Sequence, residues 1–139
     1  MVGVAIWAVC DKHILLAKRK RFPFGHYGMP GGKVEPYETR QQACRREMQE
    51  ETGVIFHPAD FKLMLTTEEI NKPKRWHYIT NHMMVEFPEA LKEQVRNLEP
   101  HKQEYWGWYP VQNLPLPLMG GADTVLREHQ EVLEKFYVI

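Results

Sequence analysis

The stretch from Glu38 to Thr52 carries a helical pattern that stops at Gly53, and one face of that helix is acidic. Glu47 stands three and four residues ahead of Glu50 and Glu51, so the three carboxylates share a face, one turn apart. Each like-charged pair at that spacing costs an isolated helix about 0.2–0.5 kcal/mol. A solvated helix avoids the penalty by mixing its charges, so this face calls for a compensating cation. Clustered hard oxygen donors suit Mg²⁺ or Mn²⁺. The Cys and His set that Zn²⁺ prefers is missing, because Cys10 and Cys44 stand apart and the seven histidines are scattered. Another side of the helix carries Cys44 and Met48, one turn apart, which can pack on a sheet while the acids look outward; Arg45 and Arg46 compensate charge on the flanks. The chain must therefore supply a sheet to back this helix and a ligand to front it.

Gly31-Gly32 precedes the helix, and two readings stand for it. It is either a tight turn or a loop whose backbone approaches an anionic ligand closely. The flanking segments provide the sheet. Val2 to Val9 is apolar and β-branched and reads as a buried strand, followed by a turn at Cys10–His13 and a short strand at Ile14–Ala17. Tyr27 to Met29 gives a brief strand, Phe61 to Thr66 and His77 to Phe87 give two more, and Tyr105 to Tyr109 an aromatic one. Leu91 to Gln103 reads as a polar loop, Pro110 to Met119 as non-helical, and Ala122 to Phe136 as one closing helix with Leu126, Val132, Leu133 and Phe136 on its apolar side. A mixed sheet with two helices follows, of α/β or α+β class, in a single domain over residues 1–139.

Composition excludes more than it proposes. Eighteen basic and eighteen acidic residues balance to zero, which gives no global pull toward nucleic acid or an anionic membrane. No apolar run is long enough to span a bilayer, and the start lacks the basic flank and small-residue cleavage site of a signal peptide. Two cysteines read as reduced thiols, which suggests a cytoplasmic protein.

The spacing around the helix resembles a known family. Gly32, five residues, Glu38, seven residues, then Arg46-Glu47-Met48-Gln49-Glu50-Glu51-Thr52-Gly53-Val54 is similar to the Nudix box, G-x5-E-x7-R-E-U-x-E-E-x-G-U, with every specified position filled (U is a bulky aliphatic). The order of strands and helices resembles the same family over nearly the whole chain. The resemblance implies the Nudix fold, an α/β/α sandwich with a mixed sheet and the box as loop–helix–loop. It implies hydrolysis of a nucleoside diphosphate linked to another moiety, with water attacking phosphorus and Mg²⁺ (or Mn²⁺) bridging carboxylates and phosphate oxygens. By motif, Glu47, Glu50 and Glu51 become metal carboxylates, one of them assisting deprotonation of the water, and the Gly32 carbonyl an extra metal ligand. Arg46 and Glu38 become structural parts of the box.

A second stretch, Asn97-Leu98-Glu99-Pro100-His101-Lys102-Gln103-Glu104-Tyr105-Trp106-Gly107-Trp108 with Asn113-Leu114-Pro115, resembles the MutT-like nucleotide diphosphatases, including the eukaryotic thiopurine-nucleotide-hydrolysing and plant cytosolic Nudix enzymes. That resemblance implies cleavage of nucleoside triphosphates, oxidised or modified purine nucleotides such as 8-oxo-dGTP among them, to monophosphate and pyrophosphate by a homodimer. Glu104 is then a distal carboxylate, for metal or as general base; the alternative is an exposed strand acid. Trp106 and Trp108 share a strand face and belong either to the core or to a dimer contact. In the run Lys18–Arg21, Arg19 is the candidate clamp for outer phosphates, against a solvated hairpin end. Where the branch carries bulky aromatics after Leu118, this chain has Met119-Gly120-Gly121-Ala122. The base pocket would then be wider, lined by Met119, or supplied by Tyr27, Phe22, Phe24 or Met29, with core packing an equal fate for Tyr27. Hydrolases of dinucleotide polyphosphates, nucleotide sugars or prenyl diphosphates compete with this reading, as does a catalytically silent nucleotide-binding module.

Overall fold

The computed structural model describes all 139 residues. In chain order they form β1 (Val2–Cys10), β2 (His13–Arg19), β3 (Tyr27–Gly28), β4 (Gly31–Lys33), α1 (Arg40–Thr52), β5 (Lys62–Asn71), β6 (Trp76–Glu86), β7 (Gln103–Pro110), α2 (Gly120–Glu128) and α3 (Gln130–Lys135). Short 3-10 turns lie at Pro58–Asp60 and Glu89–Gln94.

All seven strands join one mixed sheet, and β1 is its hub. On one edge β1 runs parallel to β6 from Val2 to Val9. Its other edge is divided: β4 pairs with Gly3–Ala5 and β2 with Val9 and Cys10, both antiparallel. Between those two pairings β2 leaves β1, and the sheet forks. The arm built on β2 carries β3 and β7; the opposite edge carries β5 on β6. The fork leaves β4 and the end of α1 near the end of β2, where Arg19 senses the charge of Glu51 and Glu51 accepts from Gly31, and this assembles the site described below.

Alternation along β1 divides the core. Val4, Ile6 and Ala8 face α1, in a cluster with Leu15, Ala43, Cys44, Met48, Phe61 and Met83. Trp7 faces the other way, with Ile14, Leu16, Val125 and Leu133 from the α2–α3 side. Helices thus cover both faces, and the α/β/α sandwich with a mixed sheet is what the chain forms. Helix α1 turns Cys44 and Met48 inward, as the sequence pattern predicts.

Several boundaries differ from the sequence-based expectation. Thr39 caps α1 through a capping box with Gln42, so the helix begins at Arg40 and Glu38 lies outside it, in the preceding loop. Gly31-Gly32 is neither a free turn nor a bare loop but the start of strand β4. The closing helix is two helices. His129 takes φ −130°, ψ 43°, which interrupts the ladder and turns α3 so that Leu133 and Val138 reach the same core as Val125. Trp106 and Trp108 pack against the α1-side core.

One polar network is sealed between β5, β6 and α2. Fully buried His82 accepts a hydrogen bond at Nδ1 from Trp7 Nε1 (3.0 Å), and its Nε2 lies 2.9 Å from Thr67 Oγ1. Thr67 in turn donates to Glu69 Oε1 (3.0 Å). A Cβ at Gly121 would push into Glu69, Thr67 and His82, so the glycine in the Met119-Gly120-Gly121 run lets α2 rest directly on this network. Protonating His82 at Nδ1 would set two donors against each other, and burial pushes its pKa down from 6.5 to about 4. The unfolded chain therefore binds the extra proton more readily than the folded one. The stabilisation from neutral His82 is complete above pH 6.5 and lost as pH falls through about 4, a contribution of about 3 kcal/mol. Urea titrations at pH 7 and pH 4 should differ by more in the parent than in His82→Gln.

Candidate active site

Arg46 organises the box. Its guanidinium donates to both oxygens of Glu38, Nε to Oε2 at 2.7 Å and Nη2 to Oε1 at 2.9 Å. Nη2 also reaches the Lys33 carbonyl (2.9 Å), tying the helix to β4. Nη1 donates to Glu47 Oε1 (2.8 Å) and, at 3.3 Å, to Glu50 Oε2. A planar fork with five donors can hold acids on several sides at once, which an ammonium cannot. Glu38 is held below the usual carboxylate range chiefly by this bond.

The pairs are only partly exposed, with side-chain accessibilities of 21% for Arg46 and 13% for Glu38. Removing the arginine leaves Glu38 and Glu47 uncompensated in a low-dielectric setting. Arg46→Ala should cost about 3 kcal/mol, the lower end for a broken buried pair. Chemical denaturation measures it directly, and a loss under 1 kcal/mol would show the network to be solvent-screened.

The three acids of α1 differ in setting. Glu51 is 7% exposed, and its Oε2 accepts from the Gly31 amide at 2.8 Å. Burial raises its pKa well above the ordinary carboxylate value, and the charges of Glu47 and Glu99 add to the rise. Glu47 is raised by burial too, with Arg46 opposing. Its carboxylate lies against Gly32, where a Cβ would collide with it. Glu50 is the open one, its side chain 53% exposed.

A divalent cation fits this donor set by its chemistry. Each carboxylate has one oxygen engaged, by Arg46 or by Gly31, and a second with no hydrogen bond. Two of the acids are desolvated and repel each other, which a cation would reverse. The side chains do not, however, converge at metal-holding spacing: no group of three or more Asp, Glu, His or Cys stands so in the chain. Arg46 occupies the position between Glu47 and Glu50, and Glu51 is turned toward Gly31.

A second wall faces the acids. Arg96 and Leu98 donate their amides to the carbonyls of Thr52 and Glu51 (3.0 and 3.3 Å), and Trp106 Nε1 donates to the Glu51 carbonyl (3.2 Å). The polar segment before β7, expected from the sequence as a loop, is therefore fastened across the end of α1. It brings in Glu99, whose charge raises the pKa of both Glu47 and Glu51 and which pairs with Lys102 at 2.7 Å. Glu104 is exposed on β7 and makes no ion pair or hydrogen bond to the box. Glu99 lies in the Asn97–Trp108 stretch, and its place beside the acids comes from the Arg96 and Leu98 amides bonding to the end of α1, a contact distant in sequence that no local pattern marks.

The residues picked for the substrate pocket partly assemble. Arg19 senses the charge of Glu51. Met119 and the Arg19 stem both border Gly28: a Cβ there would run into Met119 Sδ and lie 4.0 Å from Arg19 Cδ. Tyr27 packs on Tyr109, ring centroids 5.8 Å apart, and joins the second core with Met29. Phe22 and Phe24 are exposed on the loop beyond β2.

Comparison with known proteins agrees with this geometry. Residues 1–130 match the model of the NUDIX domain. The solved MutT NUDIX hydrolase of Burkholderia pseudomallei superposes with a TM-score of 0.80 at 30% identity, covering 92% of this chain and 96% of that one. An 8-oxo-dGTP diphosphatase of Proteus vulgaris is 44% identical over 55 residues, 37% of this chain and 49% of that protein. An ADP-ribose pyrophosphatase of Methanocaldococcus jannaschii is 54% identical over 46 residues, 32% of this chain and 27% of that protein. The aligned parts thus span half or less of those two relatives. With its box complete, braced by Arg46 and backed by the expected sandwich, the chain belongs to the Nudix family, among its MutT-like members.

Proposed function

We propose that this protein is a Mg²⁺-dependent pyrophosphohydrolase that cleaves nucleoside triphosphates, oxidised purine nucleotides such as 8-oxo-dGTP included, to nucleoside monophosphate and pyrophosphate. The observation that carries the reading is the acidic face of α1, braced by one arginine while each carboxylate keeps an oxygen free. Bare, such a face repels a polyphosphate. Glu47, Glu50, Glu51 and the Gly32 carbonyl would hold the metal; when bound, it offsets phosphate charge and acidifies a coordinated water. The exposure of Glu50 supports it as the carboxylate that takes the water's proton, with Glu47 second; Glu99 is a stronger candidate than Glu104 for a distal acid. Arg19 would neutralise outer phosphate oxygens, with Met119, Tyr27 and Met29 beside the nucleoside.

The match to an 8-oxo-dGTP diphosphatase supports the triphosphate reading. The match to an ADP-ribose pyrophosphatase supports a second one, in which the leaving group is a ribose phosphate. Homodimer formation rests on the resemblance of the Asn97–Trp108 stretch. A cytoplasmic setting is supported by the two free cysteines; no helix of the chain is long and apolar enough to cross a membrane.

The test is product analysis, for pyrophosphate, orthophosphate and nucleotides, of normal and oxidised nucleoside triphosphates, ADP-ribose, dinucleotide polyphosphates and prenyl diphosphates, with Mg²⁺ and with EDTA. Metal-dependent pyrophosphate from a triphosphate is expected. Monophosphates from ADP-ribose with silent triphosphates would establish the second reading instead.

A further inference from the structure

Two buried side-chain nitrogens in the chain have no hydrogen-bond partner, and their residues are partners across two strands. They are Arg19 Nε and Gln103 Nε2. Arg19 and Gln103 are register partners across β2 and β7, at the bulged end of that pairing. An unmade hydrogen bond costs a buried donor its desolvation, and two unpaired donors on partnered residues both call for an acceptor.

Gln103 is otherwise well tied. Its carbonyl accepts from Asn97 Nδ2 (2.9 Å) and its amide donates to the Glu99 carbonyl (3.3 Å). Only the side-chain amide is left over, in a residue 4% exposed. A leucine of similar volume would fill that place without an unpaired donor, so the glutamine is destabilising unless something accepts from it. Arg19 is a cation without a counter-ion: its one side-chain hydrogen bond is a long one, 3.3 Å from Nη2 to the Phe22 carbonyl. Glu51, the nearby acid, already spends an oxygen on Gly31. Burial and Arg21 both weaken the hold of Arg19 on its proton, as expected for a guanidinium waiting for an anion.

We infer that Gln103 and Arg19 form a two-donor subsite for a non-bridging oxygen of the substrate's diphosphate, with Gln103 a binding residue in its own right. This rests on reading the α1 face as a diphosphate site. A neutral amide paired with a guanidinium suits a phosphoryl oxygen, since both donate and neither needs to change charge. The Arg19–Phe22 bond is long, so giving it up costs the guanidinium little when it turns toward an anion.

The experiment is calorimetric binding of inorganic pyrophosphate with Mg²⁺ to the intact chain, together with thermal melting. Gln103→Leu is expected to weaken pyrophosphate at least tenfold with Tm unchanged or higher, a split that lost packing alone does not produce. Gln103→Glu, which keeps an acceptor but loses the donor, is expected to weaken it further. The Gln103 side-chain amide of the parent should shift in ¹⁵N–¹H spectra when pyrophosphate is added, and this reading stands if the leucine variant does not fold. Parent-like affinity in Gln103→Leu with a raised Tm would reduce the pair to a packing flaw or a buried water and overturn the proposal. So would parent-like affinity in Gln103→Glu beside a loss in Gln103→Leu, because Gln103 would then serve Arg19 as an acceptor. Failure of the parent to bind pyrophosphate would overturn the diphosphate reading itself. Binding that needs Gln103, with silent triphosphates, would support the subsite and reject the triphosphate substrate.

Discussion

Glu50→Gln should fold like the parent and lose turnover by about 10²–10⁴-fold, the range for removing a group that moves a proton in the rate-limiting step. The side chain is 53% exposed and its one bond, to Arg46, is 3.3 Å long, so the amide disturbs little packing. The change removes a negative charge from the face that would hold a divalent cation and removes the group assigned to take the proton from water. Both losses fall on kcat. Melting curves and circular dichroism separate this from misfolding. Activity within threefold of the parent would transfer the proton-accepting role to Glu47 or Glu99. Glu51→Gln is a poorer probe, because Glu51 is buried and anchors the Gly31 amide, so its loss would mix stability with chemistry.

Gly31→Ala should be the most damaging single methyl in the chain. Gly31 pairs with Ala5 of β1 and has φ +156°, and a Cβ there would enter the Val4 carbonyl oxygen. That neighbour is backbone and cannot step aside, so β4 must leave β1. The Gly31 amide would leave Glu51 with it, releasing a buried carboxylate from its one donor. We expect a loss of about 3–5 kcal/mol, in the range of severe core lesions, together with loss of activity. Gly120→Ala is the control: φ there is +35° and nothing lies within 4 Å, so the cost should be about 1 kcal/mol or less. Equal stabilities of the two variants in urea would show that β4 is not seated on β1 as described.

The conformational freedom of the Gly pair is a local property that suits a turn and a phosphate loop equally. The close approach it permits is to β1 and to Glu47, both distant in sequence. The break at His129 had no Gly or Pro to announce it, because it serves the burial of Leu133 and Val138 rather than any local preference. Nothing local marks Gln103 within the Asn97–Trp108 stretch, since an unpaired donor exists only in its folded surroundings.

The sequence by itself determined the acidic face of α1, its apolar back, its stop at Gly53 and the family that spacing belongs to. These follow from a 3.6-residue period and from fixed offsets, which are properties of neighbouring residues. Only the tertiary structure decided that Arg46 braces three acids and a strand, that Glu99 stands nearer than Glu104, and that Arg19 meets Gln103. Those relations depend on a forked sheet, on the 96–99 segment fastened across the end of α1 and on the bulged β2–β7 pairing. A shift of one residue in strand pairing turns a side chain to the opposite face, and no local pattern records it.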